Sequence, residues 1–297
     1  MQKKEPMSPV LAPSPGYSIF SETMVDMTWP EIEKAARNGA IILLPAGVIE
    51  QHGPHLCLGV DTYIAYIFGR LVRQKLVAKG IETLVAPPFY WGITAYHSIY
   101  PGSFSCRPDT AKAVLHDILA CLKEWGFTRV FTFTWHQEPT HGFTIMEAMK
   151  EASLSIGIKA YYLIRPSSAH AKRFGLSGKE EHVIIVPPAP LVGSPPKYGD
   201  VHAGKNETGE MLAYFPDMVN VEVAKTLKPN NRTPEELAKW AKLNSVEMKE
   251  FMGQGYIGAP ANYDAEWSKK AMEDGTTRTA DTIASFLKGS YVPPEIR

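Results

Sequence analysis

Apolar and polar residues alternate along the chain in stretches that predict strands and helices in turn. The run at 40–46, AIILLPA, has no charged position and is typical of a strand buried on both faces. From Asp61 to Lys79, apolar residues recur on one face at helical spacing, and Gly80 gives a stop signal. Further strands are predicted at 83–86, 129–135 and 158–164, and further helices at 109–125, 141–156, 207–215, 234–251 and 265–287, the last broken at Gly275.

This alternation predicts an α/β fold: a single three-layer α/β/α domain with a mostly parallel sheet. Right-handed crossovers are expected between its parallel strands. Residues 1–20 are rich in Pro and Ser and are expected to form an extended N-terminal arm, with the domain at 21–290. The Pro-rich stretch 166–200 interrupts the alternation and is interpreted as a long functional loop or lid.

Composition excludes several classes of protein. A chain of 297 residues with 44% hydrophobic content is not largely disordered. Its 31 basic and 31 acidic residues balance, and no basic run occurs, which argues against nucleic-acid binding. No apolar stretch is long enough for a membrane span. The three cysteines show no zinc or disulfide spacing, and no secretory signal is recognised, so a cytoplasmic location is expected.

Side chains that ligate metals are concentrated after the first predicted strand, in LLPAGVIEQHGPHLCLGVD. Glu50, His52, His55 and Asp61 fall within 12 residues there. Extended backbone puts Glu50 and His52 on the same side, so they could face one metal or two neighbouring metals. Asp61 stands where the N-cap of the next helix is predicted, and a carboxylate there can also bridge two metals.

Two further clusters carry the same chemistry. They comprise His136, Glu138 and His141 after the third predicted strand, and Asp200, His202 and Glu207 in GDVHAGKNETGEML. Because the carboxyl ends of parallel strands open on one edge of the sheet, the clusters that follow strands can converge. Mixed His and carboxylate ligands favour Zn²⁺, Mn²⁺ or Fe²⁺ over Ca²⁺ or Cu⁺. A carboxylate shared between two cations is typical of two-metal hydrolases.

Four separated blocks resemble the creatininase (creatinine amidohydrolase) family. They are PAGVIEQHGPHLCLGVD, HSIYPGSF, DVHAGKNETGEML and GYIGAPANYDAEWSKKAMEDG, in the family's order between residues 22 and 288. One block departs: most members carry Asn-Gly-His-Gly-Gly-Asn after the third strand, whereas this chain has TWHQEP at 134–139. The His-x-Glu in that block is more similar to the creatinine-hydrolysing branch.

The resemblance implies roles for individual residues. Two divalent metal ions per chain (Zn, Mn or Fe) would be held by Glu50, His52, Asp61, His136 and Glu138, with Asp61 as the bridge. His202 would be the catalytic acid/base, and Glu207 would orient it or touch a metal, so that either Glu138 or Glu207 completes the metal site. A bridging hydroxide would be the nucleophile. Candidate substrate-binding residues are Trp91, Thr94, His97, Trp135 and Asp200.

These roles predict a metal-dependent hydrolase of a small cyclic substrate, in first place a cyclic amide such as creatinine. Two alternatives stay open: hydrolytic C–C cleavage of a cyclic diketone such as a diketo-inositol, and an inactive binding or scaffold protein. A flat aromatic slot would favour the amide, and several hydrogen-bonding side chains would favour a polyol ring. A homo-oligomer is also expected, the hexamer being the form that the resemblance suggests, because the N-terminal arm and the C-terminal helix have no obvious partners within one domain.

Overall fold

The computed structural model describes residues 18–164, 175–176, 180–189, 197–240 and 242–294. Within these ranges the chain forms a parallel sheet with the strand order β2-β1-β3-β4-β5. The strands are β1 (Ile41–Ala46), β2 (Thr83–Val85), β3 (Arg129–Thr134), β4 (Lys159–Ile164) and β5 (Val183–Ile185). The predicted α/β fold with a parallel sheet is confirmed.

The described helices connect and cover the strands. They are α1 (Trp29–Arg37), α2 (Val60–Ala78), α3 (Pro108–Glu124), α4 (Pro139–Ser155), α5 (Lys205–Tyr214), α6 (Val221–Thr226), α7 (Pro234–Trp240), α8 (Ser245–Met252) and α9 (Ala265–Leu287). Short 3₁₀ turns lie at Met24–Asp26, Pro216–Met218 and Pro260–Asn262. No helix in the described ranges is long and apolar enough to cross a membrane.

The two faces of the sheet bury separate hydrophobic clusters, which gives the three layers. Along β1, Ile42 and Leu44 point into the cluster that α3 and α4 complete, whereas Ile41 and Leu43 point into the cluster that α2 and α9 complete. The two faces alternate because successive side chains of an extended strand point to opposite sides of the sheet. Every residue of β1 is buried, as the apolar run at its position predicts.

Helices α1 and α6 and strand β5 are elements of the fold that the sequence analysis did not identify. Helix α1 begins after Thr28, whose backbone N–H and hydroxyl both donate to Glu31, and this Thr-x-x-Glu pair is a start signal for a helix. Strand β5 lies inside the stretch 166–200, which was interpreted as loop or lid and otherwise falls largely outside the described residues. The N-terminal arm also lies mostly outside them, so the domain boundaries stay predictions.

Two predicted helices have different limits in the structure. The prediction of one helix over 234–251 is wrong, because a second start signal interrupts it: Asn244 accepts hydrogen bonds from the N–H groups of Val246 and Glu247, and α8 begins there. The predicted break at Gly275 is also wrong, since α9 continues through it. A single glycine costs a helix about 1 kcal/mol, which the packing of α9 on α2 and α5 offsets.

That packing also corrects one argument for an oligomer. The C-terminal helix α9 has partners within the domain, because Ile283 and Met272 enter the same cluster as Ile64 of α2. The homo-oligomer stays a prediction.

Candidate metal centre

The ends of β1 and β3 bring the first two clusters together. Ala46 and Thr134, the last residues of the two strands, are paired in the sheet, so the segments that follow them leave the sheet side by side. Gly47 allows the start of α2 to approach, because a Cβ at this position would lie 2.9 Å from the backbone carbon of Asp61. Gly59 is the N-cap of α2 and Asp61 is the second residue of the helix, two positions further in than predicted. Asp61 therefore faces the strand ends from inside the first turn.

Two sets of potential ligands share Asp61. Its Oδ2 atom lies 3.4 Å from Nδ1 of His136, which is also 3.2 Å from Oε1 of Glu50. Its Oδ1 atom lies 3.9 Å from Nε2 of His52, which is 3.6 Å from Oε2 of Glu207. Within each set the ligand atoms lie within 4.8 Å of one another, so either set can hold a cation. Glu50, His52 and His202 form a third set of the same kind.

The chemistry of these atoms fits a divalent cation. Several of them are buried and have no hydrogen-bond partner in the described structure: Glu50 Oε1, His52 Nε2, Asp61 Oδ2, His136 Nε2 and Glu138 Oε1. Buried polar atoms in proteins are normally paired, and buried carboxylates need a compensating charge. A positive ion among them would supply both the missing partner and the charge.

Glu138 lies further from the three ligand sets than Glu207, which belongs to one of them. Its Oε2 atom accepts a hydrogen bond of 3.2 Å from the Tyr96 N–H and lies 3.8 Å from Nε2 of His136. Glu207 extends from the first turn of α5 towards His52 and accepts from the N–H of Ala203 at 2.5 Å. The geometry favours Glu207 as the carboxylate that completes a ligand set, with Glu138 adjacent to His136.

His202 is held by the chain that follows β1 and not by Glu207. It pairs through the backbone with Ile257, and its Nε2 atom lies 2.8 Å from the backbone oxygen of Gln51 and 3.0 Å from the side-chain nitrogen of the same residue. Its Nδ1 atom is 3.6 Å from Oε1 of Glu50. The expectation that Glu207 orients His202 is wrong, because the Glu207 carboxylate turns back to Ala203. The residue that contacts the His202 ring is Gln51.

Thr94 and His97 contact Glu50. The Thr94 hydroxyl donates to Oε2 of Glu50, and Nδ1 of His97 lies 2.5 Å from the same oxygen. Thr94 is fully buried and does not line the cavity described below, contrary to its assignment as a substrate-binding residue. The ring of His97 stacks on that of His202, with 4.2 Å between centroids, and forms part of the cavity wall.

Burial and neighbouring charges set the protonation of the cluster. Burial, together with the nearby His97 and His52, holds the pKa of His202 well below its ordinary value. Burial and the neighbouring Asp61 raise the pKa of Glu207 well above the usual range. Burial alone would raise the pKa of Glu50, but His136 and His97 hold it well below that range. His202 is therefore neutral at pH 7.

A cavity of about 750 Å³ opens over the cluster. Besides the carboxylates and histidines of the cluster, the described walls of the cavity carry aromatic and polar or charged side chains. The aromatic ones are Tyr96, Trp135 and Trp240, and the polar or charged ones include Gln137, Asn206, Glu210 and Arg278. Trp135 donates from Nε1 to Glu210 at 3.1 Å. Asp200 also lines the cavity. Its carboxylate accepts from the N–H groups of Lys205 and Asn206, and it thereby holds the start of α5.

Trp91, like Thr94, was predicted to bind substrate but does not line the cavity. It is 47% exposed and packs edge-on against Phe104 at 5.8 Å between ring centroids. Tyr96, Trp240 and Arg278 were not identified from the sequence, since none of them lies next to a metal-ligating motif. The Gly-Tyr-Ile-Gly segment at 255–258 places Ile257 against His202. Nothing in the residue types of this segment indicates that His202 contacts Gln51.

Two further histidines of the motifs have structural positions. His141 bridges Thr134, at 3.0 Å from its hydroxyl, and the N–H of Ile93, at 3.2 Å. His55 lies 2.8 Å from the hydroxyl of Thr208. Burial lowers the pKa of both, that of His55 to about 4. Neither belongs to one of the three ligand sets of the described structure.

A parallel α/β sheet with a buried His–carboxylate cluster at its carboxyl edge defines the class of protein. The family model described as "Creatininase: Creatinine amidohydrolase" matches residues 25–283, and the chain therefore belongs to the creatininase family of hydrolases. Creatinine amidohydrolase of Pseudomonas putida is 27% identical over 204 residues, which cover 66% of this chain and 73% of that protein.

Two other relatives have names that refer to substrates other than creatinine. The 3-dehydro-scyllo-inosose hydrolase of Thermotoga maritima is 26% identical over 210 residues, 70% of this chain but only 61% of that protein. The mycofactocin precursor peptide peptidase of Mycobacterium ulcerans is 27% identical over 203 residues, 67% of this chain and 64% of that one. The alignment thus spans less than two thirds of both relatives.

Solved creatininase structures share the fold. A creatininase with Mn superimposes with a TM-score of 0.66 at 20% identity, over 89% of this chain and 98% of that one. A creatinine amidohydrolase (creatininase) gives 0.64 at 22%, over 89% and 97%.

Proposed function

We propose that the protein is a metal-dependent amidohydrolase that cleaves a C–N bond of a small cyclic amide. The observation that carries the proposal is the position of Asp61, whose two oxygens face two different ligand sets. One oxygen lies 3.4 Å from His136 and the other 3.9 Å from His52. A carboxylate in this position suits the bridge between two cations.

Two divalent ions (Zn, Mn or Fe) match the charge of the cluster. Glu50, Asp61 and His136 would hold one, and His52, Asp61 and Glu207 the other, with Glu138 beside the first. Four carboxylates meet in this buried cluster, and two divalent charges would balance them. When bound, such a pair supplies a water of lowered pKa as the nucleophile and polarises the scissile carbonyl.

His202 moves the proton in this proposal. In this proposal Nε2 of His202 carries the hydrogen and donates it to the Gln51 carbonyl, which can only accept. Nδ1 is then free to take the proton of the attacking water. As the C–N bond breaks, the same atom returns that proton to the leaving nitrogen.

The aromatic side of the cavity supports a flat ring as substrate. Trp240 lies 6.0 Å from both Tyr96 and His97 between ring centroids, so the aromatic wall continues to the edge of the cluster. The polar side, with Gln137, Asn206 and Arg278, favours a second candidate: hydrolytic C–C cleavage of a hydroxylated ring, in line with the name of the Thermotoga relative.

The test is a substrate panel on protein loaded with Zn²⁺ or Mn²⁺. It comprises creatinine and other cyclic amides, linear formamides, keto-inositols and short peptides, with Asp61→Ala as the matched inactive control. We expect turnover of a cyclic amide that the control lacks. Turnover of the keto-inositols alone would establish the second candidate. Metal-loaded protein that hydrolyses none of these compounds would contradict both.

A further inference from the structure

The two oxygens of Glu50 have different surroundings. Oε2 receives two donors, the hydroxyl of Thr94 and Nδ1 of His97, the latter at 2.5 Å. Oε1 has no hydrogen-bond partner in the described structure and lies 3.2 Å from Nδ1 of His136 and 3.6 Å from Nδ1 of His202. One oxygen is thus held by the surrounding loop and the other faces the ligand cluster.

The two donors are side chains of the loop between β2 and α3, whereas Glu138 and Glu207 each accept from a backbone N–H. Thr94 is fully buried, and its N–H is bonded to the Ser105 hydroxyl at 3.1 Å, which fixes the backbone that carries its side chain. His97 is wedged between Glu50 and His202, on whose ring it stacks at an angle of 20°. Both donors are therefore constrained from more than one side.

We propose that Thr94 and His97 are positioning residues that hold Oε2 of Glu50 away from the cation, so that Glu50 binds through Oε1 alone. A carboxylate that bound through both oxygens would use one more coordination position. With Oε2 occupied, that position stays available for water or the substrate carbonyl, which a catalytic metal site needs. Partners of this kind commonly change metal affinity or activity by 10- to 100-fold when they are removed.

His97 also affects the position of His202, the proposed acid/base. Because its ring contacts His202 and its Nδ1 contacts Glu50, a shift of His97 moves both groups together. Loss of His97 should therefore lower kcat more than loss of Thr94 does, at equal metal loading. This inference depends on the metal site of the proposed function, but not on the identity of the substrate.

Titration with Co²⁺ tests the inference without a substrate. Thr94→Val has nearly the same shape and lacks the donor, Thr94→Ser keeps the hydroxyl, and His97→Asn keeps an N–H close to the position of Nδ1. Thr276→Val is the matched control, because Thr276 is equally buried and its hydroxyl bonds only within α9. The readouts are the Co²⁺ dissociation constant and the visible absorption of the bound ion, which weakens when the coordination number rises.

We expect Thr94→Val to weaken Co²⁺ binding by about 10- to 100-fold and to lower the visible absorption per bound ion. Thr94→Ser should restore both, His97→Asn should retain more of both than His97→Leu, and Thr276→Val should match the wild type. A Thr94→Val protein with the wild-type affinity and spectrum would overturn the inference and leave the proposed function intact. A wild-type protein that binds no Co²⁺ would overturn both.

Discussion

His202 and Gln51 are joined by a hydrogen bond of 2.8 Å from the imidazole Nε2 to a backbone carbonyl. The side-chain nitrogen of Gln51 lies 3.0 Å from the same imidazole atom and can only donate, so the proposed reaction uses the tautomer in which Nε2 donates to the carbonyl. The opposite nitrogen, Nδ1, is left 3.6 Å from Glu50 Oε1 at the edge of the cavity. The relation between these two residues gives His202 its place in the proposed reaction.

Replacement of His202 by Asn should separate proton transfer from metal binding. We expect the variant to keep its metal and its thermal stability and to lose about 10²–10⁴-fold in kcat, the usual contribution of a general acid/base. Metal analysis of the same preparation provides the control. If the variant lost metal, the third ligand set with Glu50 and His52 would describe the role of His202 better.

The glycine in the middle of α9 should be replaceable with a gain in stability. A Cβ at Gly275 would come no closer than 3.8 Å to any described atom, and the backbone there is helical. Gly275→Ala should therefore raise the free energy of unfolding by about 0.5–1 kcal/mol.

Gly126 is the matched control, because a Cβ there also has space but φ is +97°. Gly126→Ala should lower the free energy of unfolding by about 1 kcal/mol or more. Urea titrations of the two variants measure both changes. The same sign in both variants would contradict the explanation by backbone conformation.

His55 should make the stability of the protein depend on pH. Burial, with the neighbouring His52, lowers its pKa from 6.5 to about 4 in the folded state. Between these values the unfolded chain binds more protons than the folded one, so the free energy of unfolding rises from pH 4 to about 6.5 and then levels off.

Unfolding of the His55→Gln variant should show a shallower rise over that window. The control is His116→Gln, which removes a histidine whose Nε2 contacts Ser155 at the surface. If the two variants and the wild type had the same slope between pH 4 and 6.5, His55 would not be buried in its neutral form.

The sequence predicts the parts of the site that depend on local spacing. Glu50 and His52 lie two residues apart after a buried strand, and His136 and Glu138 repeat this spacing, so the parallel sheet alone is enough to bring them to one edge. The order of the strands and the approach of α2 through Gly47 follow from packing between distant segments. Those contacts decide which oxygen of Asp61 faces which histidine.

Other features of the site depend on contacts that have no local signal. Thr94 lies outside the HSIYPGSF block of its loop, and only the structure shows that it contacts Glu50 and is not a wall of the pocket. Trp91 and Trp240 are the same residue type, and only the tertiary structure places Trp240 in the cavity wall and Trp91 away from it. His202 contacts both the backbone oxygen and the side-chain nitrogen of Gln51, 151 positions away along the chain, and no local spacing indicates this contact.

The central claim is that Asp61 bridges two cations, and metal content per chain tests it most directly. The wild-type protein, saturated with Zn²⁺ or Mn²⁺ and freed of excess ion, should contain two equivalents. Asp61→Ala should lose at least one of them. Asp264→Ala removes a carboxylate that only caps α9 through the Trp267 N–H, and it should keep both. An Asp61→Ala protein with the metal content of the wild type would contradict the account.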